Sequence, residues 1–372
     1  MLRSLFELFP KADVYTSIWQ PENMPAAINA MPIRTSFMQR LPGIFNHHRW
    51  YFPLYPLAFQ AFDLSGYDLV ITNTQGFANG VRTGASRWGQ EPGARGRGPT
   101  PDSRLPAPVA GRRPVTICYC LTPMRWAWNT DEYVGREGLG RAGRLALQPL
   151  MQALRAWDRW AAGHMQHFIG ISRAVAERIG HVYGREAAVI YPPVEARKHR
   201  ISRTVEDYFL VVSRLAPYKR IDLAVEACTR LNLGLKVIGD GRDLERLRKM
   251  AGPTVEFLGF EPDDAMVRRH YARCKAFLFP GEEDFGISPL EAQASGRPAI
   301  AYAAGGALDT IKPGVTGELF QQPTVDSLVA VLRDFDASRY DPQRIREHAL
   351  QFDSSVFKQR IKEFVERVTD GG

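Results

Sequence analysis

The stretch KAFLFPGEEDFGISPLEAQASGRPAIAY, residues 275–302, decides the fold. KAFLFP is a short apolar run of the kind a buried parallel strand uses, and RPAIAY is a second. Between them, SPLEAQASG carries helix-start signals: Ser288 as N-cap, Pro289 at the first helical position, and Glu291 three residues after the cap. On that spacing Glu291 completes a capping box, whose cap residue is worth about 1 kcal/mol. Glu283 has no such role. It falls in the strand-to-helix loop, at the carboxyl end of the strand, where open α/β sheets bind their ligands.

The same beat runs outward from this unit. YFLVVSR, GLKVIG and TVEFLGF read as strands, and IDLAVEACTRL, DLERLRKMAG and DDAMVRRHYARC as the helices between them. Alternation of this kind predicts a doubly wound parallel sheet. Earlier in the chain, YDLVITNT, RRPVTICYC, QHFIGIS and AAVIYPP read as strands of a first unit, with helices at GRLALQPLMQALRAWDRWAAG and RAVAERIGHVYG. YPPVEARKHR, residues 191–200, is the expected joint. The expected class is therefore α/β, with two Rossmann-like domains facing across a cleft. Residues 83–113 are rich in Gly, Pro and Arg and nearly empty of core residues, so a disordered surface insertion is expected there. The chain also opens inside a helix, LRSLFELF, followed by the strand ADVYTS. A doubly wound unit opens with a strand and a turn. The expectation is that Met1 is not the natural start, and that upstream coding sequence supplies a strand and a glycine-rich turn.

Composition narrows the function classes. With 372 residues the chain exceeds one ordinary core. The formal charge of +8 and a pI near 9.4 favour anionic partners. Nucleic acid is set aside, because no binding motif and no basic-aromatic stripe accompanies the charge. Cys118, Cys120, Cys228 and Cys274 lack metal-ligand spacing and are too few for a disulfide scaffold. No signal peptide is read at the start and no run is of membrane-spanning length, so a reduced cytosolic setting is expected.

Several residues join Glu283 at strand ends. In SRLAPYKR, Arg214 ends a strand and Lys219 lies in the following loop, two cations suited to a pyrophosphate. GDGRDLERL offers Gly239 and Gly241 in a turn that opens a helix, a place where a donor phosphate can approach the backbone, so both are expected to bind the donor. That turn lacks the G-x-G-x-x-G spacing of a dinucleotide dehydrogenase. In AAGGALDTI, Gly305 and Gly306 stand where a missing Cβ lets a ligand approach the backbone.

Taken together, EDFGISPLE, SRLAPYK, YPPV and GRPAIAYAAGGALDTI resemble the retaining GT-B glycosyltransferases of family 4, glycosyl transferases group 1. The first half resembles the bacterial mannosyltransferase-like branch more loosely, through LFELFPKADVYT, ICYCLTPMRWAWN and GISRAVAERI. The resemblance implies an acceptor-side domain over 1–192, a nucleotide-sugar domain over 200–350, and a helix over 351–372 that crosses back to the first domain. It implies that Glu291 binds the donor ribose, that Glu283 reaches the transferred sugar, and that the backbone from Phe285 through Gly286 and Ile287 to Ser288 lines the sugar hydroxyls. Arg214 and Lys219 would neutralise the leaving diphosphate with no metal and no further cofactor. The implied reaction is transfer of a hexose, mannose from GDP-mannose foremost, to a glycan or lipid-linked saccharide, with possible peripheral contact to an anionic membrane. The pattern also has departures. Leu121 stands where the family has histidine, Gly76 and Asn79 stand where the branch carries His and Lys, and Asp309 replaces a usual Glu. The Asp309 change is mild, and Leu121 favours an alternative: a relative that binds nucleotide sugar without transferring it.

Overall fold

A computed structural model describes residues 1–84, 113–128 and 141–370, so most of the expected insertion at 83–113 lies outside the described residues. The chain separates into two compact units. One holds Val189–Phe364 with Ile171–Val175 and Met1, and the other holds Leu2–Gly170, Ala176–Ala188 and the chain from Val365 on.

In the N-terminal unit, β1 (Val14–Thr16) and β2 (Ile33–Thr35) pair in parallel as a small sheet of their own. A second sheet is ordered β3 (Leu69–Thr74), β4 (Val115–Cys120), β5 (His167–Gly170) and β6 (Ala188–Val189). β4 pairs in parallel with both β3 and β5 and is buried along almost its whole length. That is why it reads as a continuous apolar run rather than an alternating one. All four cysteines are buried, and none forms a disulfide among the described residues.

The C-terminal unit matches the strand–helix beat element by element. Its strands are β7 (Phe209–Val212), β8 (Leu235–Ile238), β9 (Val255–Gly259), β10 (Ala276–Phe279), β11 (Ala299–Tyr302) and β12 (Gly317–Phe320). They form one parallel sheet in the order β12-β11-β10-β7-β8-β9. Successive strand residues point to opposite faces, and here they feed two separate cores. Phe209, Val211, Val237 and Leu278 pack with Ile221, Val225, Leu328 and Leu332 of the helices Ile221–Arg230 and Val325–Arg333. Leu210, Ile238, Phe277 and Phe279 pack with Tyr271 and Ala292 of the helices Asp264–Arg273 and Ile287–Ala294. Both faces are covered, as a parallel sheet requires.

The strand order fixes the ligand position. The chain runs from β7 outward to β8 and β9, then returns and lays β10 on the other side of β7, with Ala276 beside Phe209 and Phe277 beside Leu210. The direction of winding therefore reverses between β7 and β10. Outside the carboxyl ends of two such strands, the loops diverge and leave a crevice.

Candidate functional site

Both loops at that switch point carry the residues singled out from sequence. Arg214 follows β7 by two residues, and Lys219 closes the short 3-10 turn Pro217–Lys219. Glu283 lies in the loop between β10 and the helix Ile287–Ala294. Lys219 Nζ and Glu283 Oε1 form an ion pair whose side chains are only 16% and 23% exposed. Shelter of that degree strengthens the attraction relative to a fully wetted pair. Arg214 is exposed and donates from Nη2 to the Tyr218 hydroxyl at 2.8 Å. The Tyr218 ring lies 5.8 Å from the guanidinium carbon and 5.2 Å from Lys219 Nζ, so one aromatic ring neighbours both cations at the loop. Sequence reading passed over Tyr218. Its position between the two cations in SRLAPYKR was the available signal.

The glycines hold these loops to one another. A Cβ on Gly239 would lie 1.9 Å from the Ser213 carbonyl oxygen, and one on Gly241 2.2 Å from that of Leu215. Ser213 and Leu215 flank Arg214, and their N–H groups donate to Ile238 O and Asp240 O. The close approach that Gly239 and Gly241 permit is therefore by the Arg214 loop, where the sequence suggested a phosphate. Gly305 and Gly306 act likewise. Their missing Cβ atoms would strike Glu283 O and Phe285 Cα, each at 2.2 Å, and Gly306 N–H donates to Glu283 O at 2.8 Å. A Cβ on Gly281 would meet Lys219 O at 2.7 Å. The loops after β7, β8, β10 and β11 thus interlock through backbone contacts, with Lys219 and Glu283 facing each other at the centre.

The capping reading of Glu291 is corrected. The helix begins at Ile287, with Gly286 as its N-cap at φ 92°. Ser288 and Pro289 are its second and third residues, and Ser288 caps nothing. Gly286 starts the helix early because its left-handed backbone, and the Phe279 ring 2.9 Å from where its Cβ would lie, admit only glycine. Glu291 accepts a hydrogen bond at Oε2 from the Tyr271 hydroxyl, at 2.9 Å. Burial pushes its carboxyl above the usual range, the Tyr271 bond draws it down, Asp264 raises it and Arg268 lowers it. Phe285 is buried and stacks on Tyr191, with ring centroids 5.7 Å apart, which anchors the backbone leading to Ser288.

The departures also have places. Leu121 follows β4, its N–H donating to Thr74 O. Asn79 is buried and accepts from Thr72 Oγ1 at 2.6 Å, and the Gly76 N–H donates to Thr74 Oγ1. The Asp309 side chain is 1% exposed and bound by the Arg173 guanidinium and the Arg173 N–H, so its carboxylate is taken up internally.

Residues 195–352 match the family Glycosyl transferases group 1. That span contains Arg214, Tyr218, Lys219, Tyr271, Glu283 and Glu291. A glycogen synthase of Xanthomonas campestris pv. campestris is 32% identical over 202 residues, which cover 51% of this chain and 40% of the relative. A glycogen synthase of Pseudomonas paraeruginosa is 40% identical over 136 residues, covering 34% and 26%. The chain thus spans less than half the length of these curated relatives. Across whole chains, it is similar to the solved sucrose-phosphate synthase of Thermosynechococcus elongatus, with TM-score 0.72 and 16% identity over 100% of this chain and 93% of that one. It is also similar to Anabaena HepE in complex with UDP and glucose, with TM-score 0.64 and 18% identity over 98% and 94%. The fold is GT-B.

Proposed function

We propose that this chain is a glycosyltransferase that moves a hexose from a nucleotide-diphosphate sugar to a glycan or lipid-linked saccharide. The observation that carries the reading is the Lys219–Glu283 pair beside Arg214 at the switch point of a group 1 domain. In this reading the diphosphate takes Lys219 and Arg214 as its cations, and their charge stabilises the leaving group as the glycosidic bond breaks. Glu283 then turns to the hexose hydroxyls. Transfer proceeds with retention and without a metal. The mannose expected from sequence finds no support in the Xanthomonas and Pseudomonas relatives, both of them glycogen synthases. Glycogen is a glucose polymer, so glucose is the proposed hexose. HepE was solved with UDP and glucose, which supports a uridine nucleotide as the first to try.

The proposed setting is the cytosol. No described helix is long and apolar enough to cross a membrane, and the +8 charge supports peripheral contact with anionic lipid. The test is calorimetric titration with UDP-glucose, GDP-mannose and UDP-N-acetylglucosamine, followed by assays of donor hydrolysis and transfer. Saturable binding of UDP-glucose that is lost in Lys219→Ala supports the reading, and no binding by any donor refutes it. A second reading, binding without transfer, is favoured by Leu121, which offers no hydrogen bond where the family has histidine. It predicts a tight donor complex with neither hydrolysis nor transfer.

A further inference from the structure

Glu291, the carboxylate assigned to the donor ribose, has its geometry set from the helix Asp264–Arg273, to which the sequence gave no part in the site. Tyr271 of that helix is 1% exposed and donates to Glu291 Oε2. The same hydroxyl also meets the side chain of Ser288, so one phenol links two of the residues assigned to the donor. The ring cannot drift. It packs against Phe277 at 5.6 Å and edge-on to His199 at 5.8 Å.

His199 closes a second brace. Ser295 Oγ donates to the Glu291 carbonyl at 3.0 Å, and His199 Nδ1 lies 2.9 Å from that same Oγ. Because Ser295 spends its hydrogen on the carbonyl, the histidine must be the donor of the pair. Both residues are buried. The backbone and one carboxylate oxygen of Glu291 are thus each held from behind.

We infer that Tyr271 is a positioning residue for nucleoside recognition, holding Glu291 by Oε2 so that Oε1 is presented to the ribose hydroxyls. This rests on the donor reading above. A carboxylate free to rotate would spend rotamer entropy on each binding event, and a carboxylate already fixed spends none. Removing the hydroxyl while keeping the ring should therefore weaken ribose recognition and leave diphosphate recognition alone.

The test uses the full chain and three variants, Tyr271→Phe, Glu291→Ala and the double variant. Each is titrated with ADP, GDP and UDP beside their 2′,3′-dideoxy counterparts. For the nucleotide that binds, Tyr271→Phe should weaken binding about tenfold, or about 1.4 kcal/mol, and shrink the preference for the ribose form by the same factor. That ratio does not depend on the fraction folded. In the Glu291→Ala background the Tyr271→Phe effect should vanish, because the partner is gone. The acid limb of the binding profile should also move to higher pH in Tyr271→Phe. The hydroxyl lowers the Glu291 carboxyl against the upward pull of burial and Asp264, while Arg268 remains in place. Wild-type affinity, ribose preference and pH profile in Tyr271→Phe, with Glu291→Ala weakened, would overturn the positioning role alone. Unchanged binding in Glu291→Ala, or no binding by any nucleotide, would overturn the donor reading and this inference with it.

Discussion

Replacing Gly306 by alanine tests whether the interlocked loops make the site. The backbone there has φ −70° and ψ −12°, which alanine adopts without strain, so any effect must come from contact. The new Cβ would lie 2.2 Å from Phe285 Cα and 2.3 Å from its carbonyl oxygen, both main-chain atoms that no rotamer can move aside. Reaching ordinary contact requires the Glu283–Phe285 segment to retreat by about 1 Å, since van der Waals contact begins near 3.4 Å. Overpacking of this kind costs about 1–3 kcal/mol, and losing the Gly306 N–H bond to Glu283 O adds about 1 kcal/mol. A destabilisation of about 2–4 kcal/mol follows. The functional cost should be larger, because a displacement of about 1 Å at a reacting group costs on the order of a hundredfold in rate. The assay pairs thermal melting with donor titration and turnover. Gly314→Ala is the control. Gly314 sits at φ 72° with no described atom within 4 Å of its Cβ position, so it should lose about 1–2 kcal/mol for its left-handed backbone and keep donor binding. A Gly306→Ala protein that melts and binds donor like the wild type would refute the interlocking argument.

Charged and buried groups elsewhere in the molecule give further tests. Lys219→Met should weaken nucleoside diphosphate binding by about 2–5 kcal/mol, since it also leaves the sheltered Glu283 carboxylate unpaired. The exposed Arg214→Met should cost less and depend more steeply on salt, and equal losses at all ionic strengths would contradict this. His199 is buried and its imidazole is pushed down to about 4, by burial first and then by Arg268 and Arg346. Between its unfolded value near 6.5 and that lower value the unfolded chain binds the extra proton, so stability falls by about 3 kcal/mol as pH drops through this window. Denaturation at stepped pH should show that slope, and His199→Gln should flatten it. Asp158, whose carboxyl burial raises, accepts from Trp128 and Tyr183 on one oxygen, while its other oxygen has no hydrogen-bond partner among the described residues. Asp158→Asn keeps both bonds and removes a buried charge, so its melting temperature at neutral pH should equal or exceed that of the wild type. A lower one would mean that the charge is compensated.

Much of this chain was legible without coordinates, because its signals are local. Strands buried on both faces must be apolar throughout, so β4, β7 and β10 announce themselves as short apolar runs between amphipathic helices. The placement of Arg214, Lys219 and Glu283 at strand ends needs nothing more than that periodicity. Glycine's conformational freedom was legible too, but its purpose was not. Gly239, Gly241, Gly305 and Gly306 suggested room for a ligand, and the room is filled by neighbouring loops, because what lies opposite a missing Cβ depends on residues distant in sequence. The helix start was misjudged for a similar reason: Gly286 turns the chain early against Phe279, a tertiary contact that overrides the Ser288–Pro289 signal. Nothing in the sequence marks Tyr271 on its charged helix, and only packing reveals that its hydroxyl ends on Glu291. The order of the strands was likewise beyond sequence. Alternation fixes that the sheet is parallel, but the return that sets β10 beside β7 is a choice among crossovers of similar local energy, decided by how the two helix layers pack. That return turns separate strand-end residues into a single site.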